Sequence, residues 1–174
     1  MPVDCGFMKY WPLLLLFVCA SCFEAPSADR RQKAQQELLQ NPLVSRPDGP
    51  ISDGAGIISA SDEANLDKRL RAILDEKRTA VVVVTVSSLG GQNVTAYTRL
   101  LARKWQVGAE RGGVVLLVAP NERQVRIETS DEVRVRLTDQ QCAEIIQQVL
   151  TPRFRAGDFS GGIAAGVKAI ASHL

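Results

Sequence analysis

Two wholly apolar stretches dominate the pattern of hydrophobic and polar positions along the chain. Residues 114–119 read VVLLVA, and residues 80–86 read AVVVVTV. Neither stretch has a polar face, so each predicts a strand that is covered on both sides. We expect the two strands to lie side by side beneath helices, and the rest of the domain to supply those helices.

Apolar residues at helical spacing predict the covering layers. Ser59, followed three residues later by Asp62, resembles a capping box, and Thr138 with Gln141 forms another. Pro152 is expected to end or kink the helix that Thr138 begins. The predicted helices cover 59–78, 93–106, 138–152 and 163–174. Helices and strands in this order predict an α/β fold with a mixed sheet and helices on both faces.

Two segments alternate between apolar and polar residues and so predict half-exposed strands. The first runs from Arg123 to Thr129, directly after the buried stretch and a polar turn. The second is Val133 to Leu137, and with residues 130–132 as a turn it is expected to pair back on the first as a hairpin.

The first 22 residues have the features of a secretory signal peptide. Lys9 precedes an apolar run of eleven residues, Tyr10 to Ala20, which is too short to span the roughly 30 Å of a bilayer core. The run ends in Cys-Ala-Ser-Cys, which resembles a bacterial lipobox and predicts lipidation of Cys22. Cleavage near Ala20 without lipidation is the alternative, and translation starts at either Met1 or Met8.

Residues 23–50 are polar and contain four prolines, so we interpret them as a tether between a lipid anchor and a domain at 51–174. The predicted location is the periplasmic side of a bacterial envelope. Cys22 is followed by Phe23 and not by an aspartate. In a Gram-negative host this resembles the signal that directs a lipoprotein to the outer membrane.

The net charge of +2 and the absence of basic tracts longer than two residues give no indication of nucleic-acid binding. Once the signal and the lipidated cysteine are set aside, Cys142 has no disulfide partner. It lies on an apolar helix side with no cation cluster near it in sequence, which favours a buried, inert thiol.

Carboxylates near predicted strand ends are the candidate chemistry. Asp53, Glu128 and Asp139 could meet at one edge of the sheet, and oxygen ligands of this kind suit Ca²⁺ or Mg²⁺. The alternative is that each carboxylate caps a turn or a helix. The same edge could also include the polar residues Asn121, Glu122, Arg123 and Asp131.

Four arginines form the candidate partner-binding surface. Arg123, Arg126, Arg134 and Arg136 would make a basic stripe if they all point outward from the predicted hairpin. Such a stripe is either a charged edge that prevents strand pairing or a site for an acidic partner or lipid headgroup.

From Ile51 to Leu174 the order of landmarks resembles the TPM domain family. The matching segments are Ser52-Asp53-Gly54-Ala55-Gly56-Ile57-Ile58-Ser59, Val81 to Val86, Gly113 to Pro120, Val125-Arg126-Ile127-Glu128, Leu137-Thr138-Asp139 and Phe154-Arg155-Ala156-Gly157-Asp158-Phe159. The resemblance implies a three-layer α/β/α sandwich. It also implies acid-phosphatase-like activity and, in some members, binding of calcium or similar ions.

The chain departs from that family at two loops. Arg111-Gly112-Gly113 stands where an Asp-Asn-Gly is usual, and residues 130–134 replace a Gly-Tyr-Gly-Leu-Glu loop. The first departure puts a cation in place of a carboxylate, which disfavours a divalent ion. We therefore expect an envelope-anchored accessory factor that binds a protein partner. The alternative is a divalent-ion-dependent phosphatase that uses Asp53, Glu128 and Asp139.

Overall fold

The computed structural model describes residues 45–174, so the signal peptide, Cys22 and most of the predicted tether lie outside the described residues. The core is a four-stranded sheet in the order β1-β2-β3-β4. β1 and β2 run parallel to β3, and β4 is antiparallel to it. The strands are β1 Ile51–Asp53, β2 Ala80–Thr85, β3 Gly113–Ala119 and β4 Gln124–Thr129.

Helices cover both faces of the sheet, so the predicted α/β/α sandwich with a mixed sheet is confirmed. The helices are α1 Ala60–Lys77, α2 Val94–Lys104, α3 Asp131–Arg134, α4 Asp139–Glu144, the π segment Ile145–Leu150, α5 Thr151–Arg155 and α6 Phe159–Ala171. One face packs against α1 and the helices that follow β4, and the other packs against α2. Among the described residues, none of the helices combines the length and the apolar character that a membrane crossing requires.

The two apolar stretches lie side by side, as predicted. Val81 pairs with Val114 and Thr85 with Val118 in the parallel ladder between β2 and β3. All seven residues of β3 are buried, because alternate side chains enter the two separate cores. Burial of each such valine or leucine stabilises the fold by about 1.5–3 kcal/mol.

The helix starts follow from local hydrogen bonding. The Ser59 side chain accepts a hydrogen bond from the Asp62 backbone N–H, and Asn93 does the same for the first turn of α2. Thr138 and Gln141 form the predicted capping box. Each cap satisfies backbone donors that have no partner within the helix.

The predicted hairpin strand at Val133–Leu137 is wrong. Residues 131–134 form the short helix α3, and the Leu137 N–H donates to the Val133 carbonyl. Val133 and Leu137 are fully buried, whereas Val135 is 84% exposed. The apolar residues at i and i+4 therefore share one face of a helical turn, and β4 remains an edge strand.

Three further elements differ from prediction. β1 was not expected as a strand, since its single large apolar residue, Ile51, gives no periodicity. The last helix begins at Phe159 rather than at Ile163, with Asp158 accepting from the Gly161 N–H at its start. The helix that begins after Thr138 passes through the π segment before Pro152, which lies in the first turn of α5. Leu150 and Thr151 before it are also helical, so the helical stretch continues through Pro152 to Arg155 and does not end there as it could have been expected to.

Candidate functional site

A groove of about 630 Å³ opens beside α2, at the end of the sheet where β3 begins and β4 ends. The second half of α2 forms one wall, and β4 with the turn before α3 forms the other. Its charged lining residues are Arg99, Arg103, Glu128, Asp131, Glu132 and Arg134.

The loop from α2 to β3 closes the end of this groove by close backbone contact. Gly108 has φ +74°, and a Cβ atom there would lie 2.1 Å from the Gly113 nitrogen. Gly113 N–H donates to the Ser130 hydroxyl over 3.1 Å, and Ser130 N–H donates back to the Gly113 carbonyl over 2.9 Å. These bonds fix the turn after β4 against the start of β3.

Glu128 is the best-buried carboxylate of the groove, and two arginines neutralise it. Arg99 Nε lies 2.9 Å from Oε1, and Arg126 Nη2 lies 2.8 Å from Oε2. The Glu128 side chain is 11% exposed. Hydrogen bonding to this carboxylate raises the pKa of the Arg99 guanidinium, so Arg99 keeps its positive charge.

Arg134 connects the turn after β4 to the helices that follow. Its Nη1 donates to Asp131 over 2.7 Å and its Nη2 to the Thr129 carbonyl over 3.0 Å. Its Nε is buried without a hydrogen-bond partner and lies 3.8 Å from an Asp139 oxygen, beyond hydrogen-bond distance. Arg134 thus holds the groove wall together while keeping one donor unused.

Asp53 lies at the other end of the sheet, where it has a structural role. Its carboxylate accepts from the backbone N–H groups of Ile57, over 3.2 Å, and Ile58, over 2.9 Å. It also accepts from the Thr85 hydroxyl. Both carboxylate oxygens are therefore engaged in holding the turn between β1 and α1.

The structure does not bring Asp53, Glu128 and Asp139 together. Asp53 pairs with Thr85, which in turn pairs with Val118 near the end of β3. Glu128 pairs with Val115, near the start of β3, from the opposite side of that strand. Three strand spacings alone separate β1 from β4 by roughly 14 Å. No group of three or more His, Cys, Asp or Glu residues in the described range could hold a metal ion. The residues present do not fit a three-carboxylate Ca²⁺ or Mg²⁺ site.

The four arginines of the predicted stripe are also dispersed. Arg126 and Arg134 lie at or beside the groove. Arg123 occupies the turn between β3 and β4, at the opposite end of the sheet. Arg136 donates to the Leu174 carbonyl over 2.6 Å and contacts the Thr79 hydroxyl. The predicted stripe required residues 133–137 to pair with β4 as a strand. This part of the chain instead begins with the helix α3.

Arg99 and Arg103 are the groove residues that sequence reasoning missed. They are four residues apart on α2, away from the side formed by Tyr97 and Leu101, so helical periodicity places them on a shared polar face. That they face Glu128 follows only from the packing of α2 beside β4.

Cys142 is buried and free, as predicted. Burial, reinforced by the negative charge of Asp139, raises the pKa of its thiol to about 11. A thiol with a raised pKa stays protonated near neutrality, which favours the inert, buried role predicted for Cys142.

Comparison with known proteins places this geometry in context. The profile of the TPM domain matches residues 51–173. The N-terminal domain of a P. gingivalis protein, solved by NMR, is 34% identical with a TM-score of 0.68, and the match covers 72% of this chain and 81% of that one. No curated protein matches.

Two further NMR structures show the same fold at lower identity. The N-terminal domain of the cg2496 protein from Corynebacterium glutamicum is 21% identical with a TM-score of 0.57, over 76% of this chain and 86% of that one. The BA42 protein from Bizionia argentinensis is 14% identical with a TM-score of 0.60, over 67% and 81%.

Proposed function

We propose, from the premise that this chain belongs to the TPM domain family, that it is an accessory protein of the bacterial envelope that works by binding an acidic partner without turnover. The supporting observation is the state of Glu128, whose two oxygens are each engaged by an arginine. A carboxylate held in this way has no free oxygen for an ion.

The groove keeps arginine donors available to a ligand. A guanidinium has five N–H donors, and Arg99 uses its Nε for Glu128 while its side chain remains 54% exposed. Arg103 forms no ion pair with any residue in 45–174 and also lines the groove. Arginine forks match carboxylates in geometry, so an acidic segment of a protein is the ligand that this wall suits.

The tether and anchor complete the proposal. A lipid at Cys22 and the polar residues 23–50 would hold the domain near the membrane while leaving the groove free to meet an envelope protein. Fractionation of cells that express the wild type and Cys22→Ser tests this part. Recovery of the wild type in the soluble fraction would contradict the anchor.

The binding role is tested with a fluorescent Glu-rich peptide and the double variant Arg99→Gln/Arg103→Gln. We expect salt-dependent binding to the full-length protein and at least a tenfold loss in the variant, since charged contacts of this kind govern recognition. Glu128 keeps Arg126 in this variant, so we expect the fold to be preserved with a small loss of stability. The matched control is Lys68→Gln/Arg69→Gln on the exposed face of α1, which should bind like the wild type.

The alternative is a divalent-ion-dependent phosphatase. The observation in its favour is that Arg134, which lines the groove with Glu128, has its Nε 3.8 Å from an Asp139 oxygen, so two of the three candidate carboxylates lie at the same end of the domain. An ion could bind there only by displacing Arg99 or Arg126 from Glu128. It would then stabilise the native state and raise the melting temperature. Metal-dependent hydrolysis of p-nitrophenyl phosphate well above blank, lost in Glu128→Gln, would establish it and overturn the proposal of binding without turnover.

A further inference from the structure

A second cavity, of about 510 Å³, lies at the opposite end of the sheet from the groove. It opens between the turn that joins β3 to β4 and the helices α5 and α6. Its lining residues are Val118, Ala119, Pro120, Arg123, Gln124, Val125, Thr151, Phe154, Arg155 and Phe159. We call it the end cavity. Its volume lies within the range of roughly 300–1,000 Å³ that is typical of small-molecule sites.

The floor of the end cavity is apolar. Val118 and Ala119 are buried at the end of β3. Phe154 and Phe159 pack with their ring centroids 5.2 Å apart, and both remain partly exposed. Two aromatic rings next to open space provide apolar surface that a ligand would remove from water.

The charge at its rim is of one sign. Arg123 and Arg155 line the cavity, and its lining includes no carboxylate. Neither guanidinium forms an ion pair or a hydrogen bond with another residue in 45–174. In the groove, by contrast, Arg99 and Arg134 are paired with acidic side chains of the protein itself.

Two unusual backbone features converge on the same cavity. Arg123 has φ +54°, a conformation that is strained for a residue with a Cβ atom and that glycine adopts freely. The π segment ends at Leu150, next to Thr151 of the lining. Strained backbone and π segments both concentrate at functional sites.

We propose that the end cavity binds a small amphipathic carboxylate, with the acid group between Arg123 and Arg155 and the apolar part against Phe154 and Phe159. Guanidinium forks bind a carboxylate in bidentate geometry. An apolar chain of about eight to ten carbons is smaller than the drug-sized ligands that cavities of this volume enclose.

The described chain enters the domain at the opposite end from the end cavity. Arg46, at the start of the described chain, lines a cavity together with Ala80 and Val81 at the beginning of β2. The end cavity lies beyond the opposite end of β3. Residues that precede the domain therefore join it at the far side from this site.

Titration of the full-length protein with hexanoate, octanoate and decanoate, followed by NMR and calorimetry, tests the proposal. Affinity should rise about tenfold for each two added methylenes, because each buried methylene contributes about 0.8 kcal/mol. Decanol should bind at least tenfold more weakly than decanoate. Shifts confined to residues of the end cavity are expected. The proposal fails if binding is not saturable or if decanol and decanoate bind equally.

The variant Arg123→Gly separates a binding role from a structural one. It removes one guanidinium and relieves the positive φ, so stability should be unchanged or higher while decanoate affinity falls at least tenfold. Arg78→Gly is the matched control, because Arg78 ends α1 with φ +56° and is exposed. It should show the same stability change with wild-type affinity. Arg155→Gln provides the second test, and wild-type affinity in both Arg123→Gly and Arg155→Gln would overturn the proposal.

Discussion

Arg99 on α2 donates its Nε–H to Oε1 of Glu128 on β4 over 2.9 Å, and this contact ties α2 to the edge of the sheet. Arg126 holds the other oxygen of the same carboxylate. Glu128 is 11% exposed, Arg126 29% and Arg99 54%. In its exposure to water, the contact is therefore intermediate between a surface ion pair and a buried one.

We expect Glu128→Gln to reduce the free energy of unfolding by about 1–2 kcal/mol, between the values typical of exposed and buried pairs. Arg126→Gln should cost more than Arg99→Gln, because Arg126 is less exposed. Urea unfolding at low and high salt measures these differences. Equal stability of Glu128→Gln and the wild type would show that the contact is only a surface pair.

Asp53 is expected to act on stability and not on ion binding. Asp53→Ala leaves the Ile57 and Ile58 N–H groups without their acceptor, so the free energy of unfolding should fall by about 1–3 kcal/mol. Asp53→Asn keeps one acceptor oxygen and should cost less. Calcium or magnesium at millimolar concentration should leave the melting temperature of both variants and of the wild type unchanged. A metal-dependent rise that only the wild type shows would instead assign Asp53 a role as a ligand.

The sequence predicted what short-range physics determines. The β2 and β3 stretches have no polar face, so their burial follows from composition alone. Ser59 and Thr138 place their helix starts because a cap needs only a few neighbouring residues. The Arg99–Glu128 contact has no comparable signal, since its partners are 29 positions apart and meet only when α2 packs on the sheet.

The segment Val133–Leu137 shows why a short pattern can mislead. Val133, Val135 and Leu137 fit both a strand of period two and a helical turn with apolar residues at i and i+4. The sequence alone could not choose, because five residues hold too few periods. The chain turns at Ser130 and forms α3, which buries two of the three apolar side chains and leaves Val135 in water.

A matched pair of substitutions tests this correction. Val133→Ala should lower the free energy of unfolding by about 1.5–3 kcal/mol, because its side chain is fully buried. Val135→Ala should change it by no more than about 0.5 kcal/mol, as is usual for exposed positions. Chemical denaturation of both variants gives the comparison. Similar losses at the two positions would favour the strand.

The raised pKa of the Cys142 thiol makes the free energy of unfolding depend on pH, in a direction that can be worked out. Burial raises the pKa of the folded thiol to about 11 from an ordinary value of 9.0. The folded state therefore keeps the proton to higher pH than the unfolded state, so this contribution to stability is full below pH 9 and is lost as pH rises towards 11. The difference between the wild-type and Cys142→Ala stability curves should shrink over that interval. A constant difference, or rapid reaction with a thiol reagent at pH 8, would contradict the assigned environment.

Gly108 is the position where the groove depends most directly on the absence of a side chain. It has φ +74°, and an added Cβ would lie 2.1 Å from the Gly113 nitrogen and 2.4 Å from the Gly112 carbonyl oxygen. These are backbone atoms, which cannot rotate away as a flexible side chain can. Gly157 offers a matched control, because its φ is +80° and a Cβ there would meet nothing within 4 Å.

We expect Gly157→Ala to cost about 1–2 kcal/mol, the penalty of the left-handed conformation alone. Gly108→Ala should cost about 2–5 kcal/mol, because the overlap with the start of β3 adds to that penalty. If the overlap moves the loop, the Gly113–Ser130 bonds open and binding of the Glu-rich peptide weakens as well. Unfolding and peptide titration of both variants measure the two effects. Equal losses of stability would mean that the loop before β3 yields freely, and that the groove wall is not set by this contact.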